Sequence, residues 1–134
     1  MLLGIYEKEV LDSLTDLPKH YSTFIDLGAA DGYYSVGVLV NNIFKKSICY
    51  ELDELGRELI KENAILNNVL ERIEIKGLAN KNFYEEISEH DIKHSVILID
   101  IEGSEFEFFS KKTFNIFKNS IIIGFIENFK IYVH

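Results

Sequence analysis

The stretch TFIDLGAADGYYSVGVLV, residues 23–40, changes character twice along its length. Thr23 to Leu27 is apolar apart from Asp26, the pattern of a short buried strand. Residues 28–32 read Gly-Ala-Ala-Asp-Gly, and Tyr33 to Val40 is apolar nearly all round, which suits a buried helix. Gly28 and Gly32 remove side chains where the backbone must turn tightly or come close to a ligand. A helix that begins directly after such a turn presents N–H groups and a positive dipole end, suited to a carboxylate or a phosphate.

The rest of the chain repeats this alternation. Leu3, Tyr6, Val10, Leu14 and Leu17 follow steps of three and four, predicting an amphipathic helix over 3–17 that Pro18 closes. Strands are expected at 47–51 and at 72–76, where Ile73 and Ile75 alternate with charged residues. Between them Asp53 can cap a helix whose apolar face uses Leu55, Leu59, Ile60 and Leu66. A weak helix is expected over 81–89, around Phe83, Tyr84 and Ile87. SVILIDIEG, residues 95–103, holds the strongest strand, at 95–101 and continuously apolar up to Asp100 as in a strand covered on both faces. Ser104 and Glu107 stand at capping-box spacing, and Phe106, Phe109, Thr113 and Phe117 continue a helix from there. A fifth strand follows at 120–126. Strand and helix in alternation imply right-handed crossovers and a parallel sheet with helices on both faces, an α/β fold. In such sheets ligands bind beyond the carboxyl ends of the strands, where strand order reverses.

The bulk properties agree. The chain has 134 residues, 47% hydrophobic and 27% charged, which fits one domain with a real core. The expected division is an N-terminal helix within 1–20 and a core over 22–128. A single cysteine, Cys49, gives no disulfide framework and reads as a buried small hydrophobe. With no signal-peptide pattern and no apolar run near the ~20 residues of a bilayer span, a cytoplasmic setting is expected. The formal net charge of −8 disfavours non-specific nucleic-acid and anionic-membrane binding and leaves room for a small anionic or zwitterionic ligand held by backbone groups.

Acids stand at three strand ends: Asp26 with Asp31 in the turn behind it, Glu51, and Asp100 with Glu102. Glu51 lies 25 positions beyond Asp26, well placed for two ribose hydroxyls, because a carboxylate accepts two hydrogen bonds at once. The dinucleotide pattern G-x-G-x-x-G is not met, since position 30 is Ala and position 33 is Tyr, and this argues against a nucleotide-dependent oxidoreductase. D-x-G-x-x-x-G is met by Asp26, Gly28 and Gly32.

That pattern resembles motif I of the class I S-adenosylmethionine-dependent methyltransferases. LIDIEGSEFEFF, residues 98–109, is similar to the DVEGAE segment of the FkbM-type members, and DLGAADGYYS to their first motif. The likeness covers about residues 22–128, in the right order. It implies a Rossmann-like three-layer α/β/α sandwich with a sheet of about five strands, order 3-2-1-4-5. It also implies S-adenosyl-L-methionine as cofactor. Asp26 and the backbone of Gly28, Ala29, Ala30, Asp31 and Gly32 would hold its methionine end. Glu51, with Leu52 beside it, would hold the ribose. Leu78, Ala79 and Asn80 would border the adenine by backbone or through Asn80. Asp100 and Glu102 would face the methyl group and the acceptor, with Asp100 the first choice of base and Glu102 the second. FkbM-type relatives suggest O-methylation of a small-molecule or sugar-like hydroxyl.

Full class I domains have about seven strands, the last two forming an antiparallel hairpin. After strand five only ENFKIYVH remains, so the usual sixth and seventh strands are expected to be lacking. The chain then reads as a short or truncated version of the domain. Strand five would be an open apolar edge, and from this a homodimer through the C-terminal sheet edge is expected. A truncated, non-catalytic S-adenosylmethionine-binding or interaction domain is the alternative.

Plainer readings stand beside these. A lone glycine pair is more often a strand-to-helix turn than a site. Asp31 is equally a solvated turn residue, and Tyr33 and Tyr34 are expected to pack in the first helical turn, with room for one of them to border the cofactor. Glu102 and Glu105 sit where negative charge favours a helix start. His20, His90, His94 and His134 show no metal spacing, an Asp–Glu pair is too few ligands for a cation, and Lys111 and Lys112 read as a solvated face.

Overall fold

The computed structural model describes residues 9, 11–100, 111–126 and 129–133, the strand residues from 125 onward by their backbone. Five parallel strands form where the apolar runs lie: β1 (Thr23–Leu27), β2 (Lys46–Tyr50), β3 (Ile73–Lys76), β4 (Ser95–Ile99) and β5 (Ile121–Ile126). A sixth, β6 (Phe129–Val133), pairs antiparallel with β5, so the sheet order is β3-β2-β1-β4-β5-β6. The expected 3-2-1-4-5 arrangement holds. The C-terminal tail corrects the expected lack of a sixth strand, because FKIYV turns back and takes the free side of β5. An open β5 edge, the premise for a dimer, is therefore absent.

The helices are α1 (Tyr33–Val40), α2 (Glu54–Leu66), α3 (Glu89–Lys93) and α4 (Lys111–Ile116). Residues 11–15 are also helical, within the expected N-terminal helix. The helix expected over 81–89 does not form. A 3₁₀ turn at Phe83–Glu86 and then α3 replace it, because Ser88 caps a new start by accepting from the Asp91 N–H at 3.1 Å. Both α1 and α2 end in the same way. Asn42 and Asn68 take left-handed backbone (φ 54° and 58°), and paired backbone bonds close each end: Ile43 to Val38 and Asn42 to Leu39, Val69 to Ala64 and Asn68 to Ile65.

Alternation along the strands divides the core between the two faces of the sheet. Phe24, Cys49, Val96, Leu98 and Ile123 pack with Val36, Leu39, Ile60 and Leu14 on one face. Ile25, Leu27, Ile48, Ile97 and Ile122 pack with Phe83, Tyr84, Ile92 and Phe117 on the other. Cys49 is fully buried, as expected, and burial followed by the charge of Asp26 pushes its thiol up to about 12. The apolar face expected for α2 is corrected. Ile60 and Ala64 are buried, whereas Leu55 is 63% exposed, Leu66 78% and Leu59 43%. The helix is turned so that Gly56 and Ile60 meet the loop after β1.

At the amino ends of the strands Lys46 bonds both Glu74 and Asp91 at 3.0 Å, and Thr23 donates to Asp91 at 3.2 Å. Burial acts to raise the Asp91 carboxyl, but the bonds from Lys46, Ser88 and Thr23 outweigh it and hold it low. This network ties β1, β2, β3 and α3 together at the end of the sheet opposite the strand-end acids.

Candidate functional site

Asp26 is the fourth residue of β1 and points to the face that carries Phe24, between Cys49 of β2 and Leu98 of β4, its register partners. Those neighbours and α1 above leave it 1% exposed. Ser35, in the first turn of α1, donates to Asp26 Oδ2 at 2.5 Å. The other oxygen, Oδ1, is buried and has no hydrogen-bond partner among the described residues. Desolvation pushes the carboxyl up to about 7. Ser35 works against that, and Asp100, Glu51 and Asp31 add to it by repulsion. The three acids named from the sequence as strand-end residues thus share one electrostatic environment.

The loop after β1 owes its shape to three left-handed residues, Gly28 (φ 86°), Ala30 (φ 52°) and Gly32 (φ 87°). Gly28 and Ala29 donate to the Tyr50 carbonyl at 2.9 and 3.0 Å, fixing the loop against the end of β2. Ala30 has a β-carbon in a region such residues avoid, and it is held there from outside. Its N–H donates to Glu51 Oε1 at 2.8 Å, while Glu51 Oε2 accepts from the Asp53 N–H at 2.9 Å. Gly32 caps α1 without a side-chain bond, and the Tyr33 N–H is met by Asp31 Oδ1 at 3.2 Å. Loop and Glu51 therefore form one bonded surface.

Three contributors to this surface were not singled out in the sequence. A β-carbon on Gly56 would stand 2.8 Å from Glu51 Cγ and 3.0 Å from the Ala30 oxygen, so only glycine lets α2 approach so closely. Arg57 donates through Nη1 to the carbonyls of Glu51 and Leu52, each at 2.8 Å. Ser35 completes the set. A glycine one turn into a helix behind a strand-end acid was the available signal for Gly56. Ser35 and Arg57 had none, because their partners lie on other elements.

The remaining expected residues fall as follows. Leu52 and Leu78 are exposed at the ends of the neighbouring strands β2 and β3. Ala29 and Ala79 are buried in the core, so only their backbones can border a ligand. Asn80 Oδ1 is engaged by the Asn82 N–H at 2.8 Å. Asp100 is exposed, with its N–H on the Leu27 carbonyl at 2.9 Å. Glu102 lies outside the described residues, as do Ser104 to Phe109. Tyr33 and Tyr34 pack edge to face at 5.3 Å, with Tyr33 part-exposed beside the loop.

Comparison with protein-family models and with curated proteins finds no match to this sequence. Solved structures do match its fold. A SAM-dependent methyltransferase of Geobacter sulfurreducens in complex with S-adenosyl-L-homocysteine superposes with a TM-score of 0.64 at 14% identity, over 88% of this chain and 46% of that one. An RNA methyltransferase of Salinibacter ruber, in complex with the same compound, gives 0.60 at 16%, over 87% and 74%. A protein of the NADB-Rossmann superfamily from Streptococcus agalactiae gives 0.63 at 14%, over 85% and 50%. The chain has a Rossmann-like fold, and it spans about half the length of two of these three structures.

Proposed function

We propose that this chain binds S-adenosyl-L-methionine and serves as the cofactor-binding core of a methyltransferase. The observation that carries the reading is the bonded surface of loop 28–32 and Glu51, lying beside a buried Asp26 one of whose oxygens has no partner among the described residues. The chemistry of the donors and acceptors suits such a ligand. An amino-acid end carries an ammonium for Asp26 and a carboxylate for the start of α1. Glu51 keeps lone pairs beyond the two bonds it makes, enough to receive ribose hydroxyls. Leu52 and Leu78 offer apolar surface on either side of the place the resemblance gives to adenine, and the Ala79 and Asn80 backbone offers the polar contacts. When bound, the cofactor supplies an electrophilic methyl group on a sulfonium. The chain's part is to align an acceptor with it, and Asp100 at the end of β4 is the candidate to take the acceptor's proton. Glu102 is the second candidate.

For the acceptor we infer a small molecule with a hydroxyl, in line with the FkbM-type resemblance. The net charge of −8 supports this against a polyanionic substrate. An RNA acceptor is the second reading, supported by the Salinibacter ruber structure. A cytoplasmic, one-domain protein fits the same picture. Among the described residues no helix is long and apolar enough to cross a membrane. Self-association at the C-terminal sheet edge would use β6 in place of β5. Retention of the cofactor without turnover remains the alternative to catalysis, and acceptor assays on a binding-competent protein separate the two.

Titration calorimetry with S-adenosylhomocysteine tests the reading. Micromolar binding is expected, reduced at least tenfold in Glu51→Ala. Absence of heat at millimolar ligand overturns it.

A further inference from the structure

Among the described residues the strand-end cluster is acidic. Asp26 faces Asp31 of its own loop, Glu51 beyond β2 and Asp100 beyond β4, and each of these raises the cost of a charge on it. Cys49 beside it on β2 is a neutral thiol, and Ser35 on α1 gives it one hydrogen bond. Arg57, the cation on α2 nearest in sequence to this surface, spends Nη1 on the carbonyls of Glu51 and Leu52. A carboxyl buried in this setting, with no partner for Oδ1 among the described residues, is poised between two protonation states.

We propose that Asp26 is neutral in the empty site and gives up its proton when the ligand's ammonium arrives, so that cofactor binding and proton release are one event. Ser35 is the positioning residue: its hydroxyl holds Oδ2 and stabilises the ionised form, and the ammonium acts on the buried carboxylate as a nearby positive charge. The inference rests on the cofactor reading above and adds to it a pH dependence and a selection for ligands that carry a cationic amino-acid end. The balance is simple: the proton leaves Asp26 for solvent, no covalent bond to the ligand changes, and an ion pair replaces a neutral acid. Affinity then rises with pH while Asp26 is still protonated in the free protein. It flattens once Asp26 is ionised in both states.

Calorimetry in two buffers of different ionisation enthalpy reads the released proton directly. With S-adenosylhomocysteine, close to one proton is expected to leave per binding event at pH 6, falling toward none at pH 8. Kd should tighten by roughly tenfold between pH 6 and 7.5. 5′-Methylthioadenosine, which lacks the amino-acid end, should bind without proton release. Asp26→Asn should bind S-adenosylhomocysteine more weakly, with neither the release nor the pH dependence. Should that variant fail to fold, Ser35→Ala serves in its place, since loss of the hydroxyl must move the break in the affinity profile to higher pH. Binding of S-adenosylhomocysteine with no proton released and a flat profile overturns the inference but leaves the cofactor reading standing. The same release with 5′-methylthioadenosine, or an unmoved break in Ser35→Ala, also overturns it. Binding of neither ligand removes the cofactor reading itself, and the inference with it.

Discussion

Asp26 costs the fold stability at neutral pH. An apolar residue there would continue the face that Phe24 begins, yet the position holds a carboxyl with one side-chain bond among the described residues. Its folded value near 7 lies above the ordinary 3.8, so the sign of its effect on stability is fixed. The folded state holds the proton more tightly than the unfolded chain. Stability from this group is therefore full below about pH 4 and is lost as the pH rises toward 7. Asp26→Asn removes the titration. Relative to the parent, the variant should gain on the order of 2 kcal/mol in unfolding free energy between pH 5 and pH 8, read by urea denaturation at both. Parallel stability–pH curves for the two proteins would contradict the assignment. The same residue shows how far sequence reading reached. Asp26, Glu51 and Asp100 were legible as strand-end acids, because a strand's end can be read from where its apolar run stops. Ser35 was not legible, because nothing in Tyr-Tyr-Ser-Val says that the third residue faces a neighbouring strand's carboxyl.

Among the elements, α2 carries the most instructive difference. Its leucines suggested an apolar stripe, and hydrophobicity alone would turn Leu55, Leu59 and Leu66 inward. The helix instead presents Gly56, Ile60 and Ala64 to the protein. The loop after β1 and the Glu51 side chain occupy the space where larger residues would stand, so close approach decides the rotation. This gives an unusual expectation for Gly56→Ala. In a helix interior that change commonly stabilises by roughly 0.5–1 kcal/mol. Here the new methyl meets Glu51 Cγ and the Ala30 carbonyl, so Glu51 must move and the Ala30 N–H loses its acceptor. The variant should be no more stable than the parent in thermal unfolding and should bind S-adenosylhomocysteine at least tenfold more weakly. A gain in melting temperature with unchanged affinity would show that the contact yields freely. The 81–89 segment is the converse case. Its aromatic residues belong to the core around Phe117, where Phe83 stacks at 5.7 Å, and that packing shapes a short 3₁₀ turn rather than a helix.

For the whole molecule, the edges of the sheet matter most. β5 carries Ile121, Ile122 and Ile123, all buried, and β6 covers the side that β4 leaves open. Without that cover an apolar edge strand is a template for pairing with another chain. Removal of residues 127–134 should therefore produce species larger than those the parent forms at micromolar concentration, read by sedimentation velocity. An unchanged sedimentation profile would mean that β5 is protected by other means. The two ends of the sheet divide the work. The Lys46–Glu74–Asp91 network binds elements together at the amino ends, and the strand-end acids gather at the carboxyl ends, where Asp31, Glu51 and Asp100 act on Asp26 by repulsion.

By itself the sequence determined the alternation of strands and helices, the parallel sheet, and the rim on which Asp26, Glu51 and Asp100 lie. These follow from apolar periodicity and from where each run stops, both local properties of the chain. Only the tertiary structure decided the rest: which face of α2 turns inward, that the tail returns as β6, that Ala30 is held in a strained turn by Glu51, and that Asp26 is buried with Ser35 on one oxygen. Each of these depends on contacts between residues far apart in sequence, where the space left by one element fixes the orientation of another.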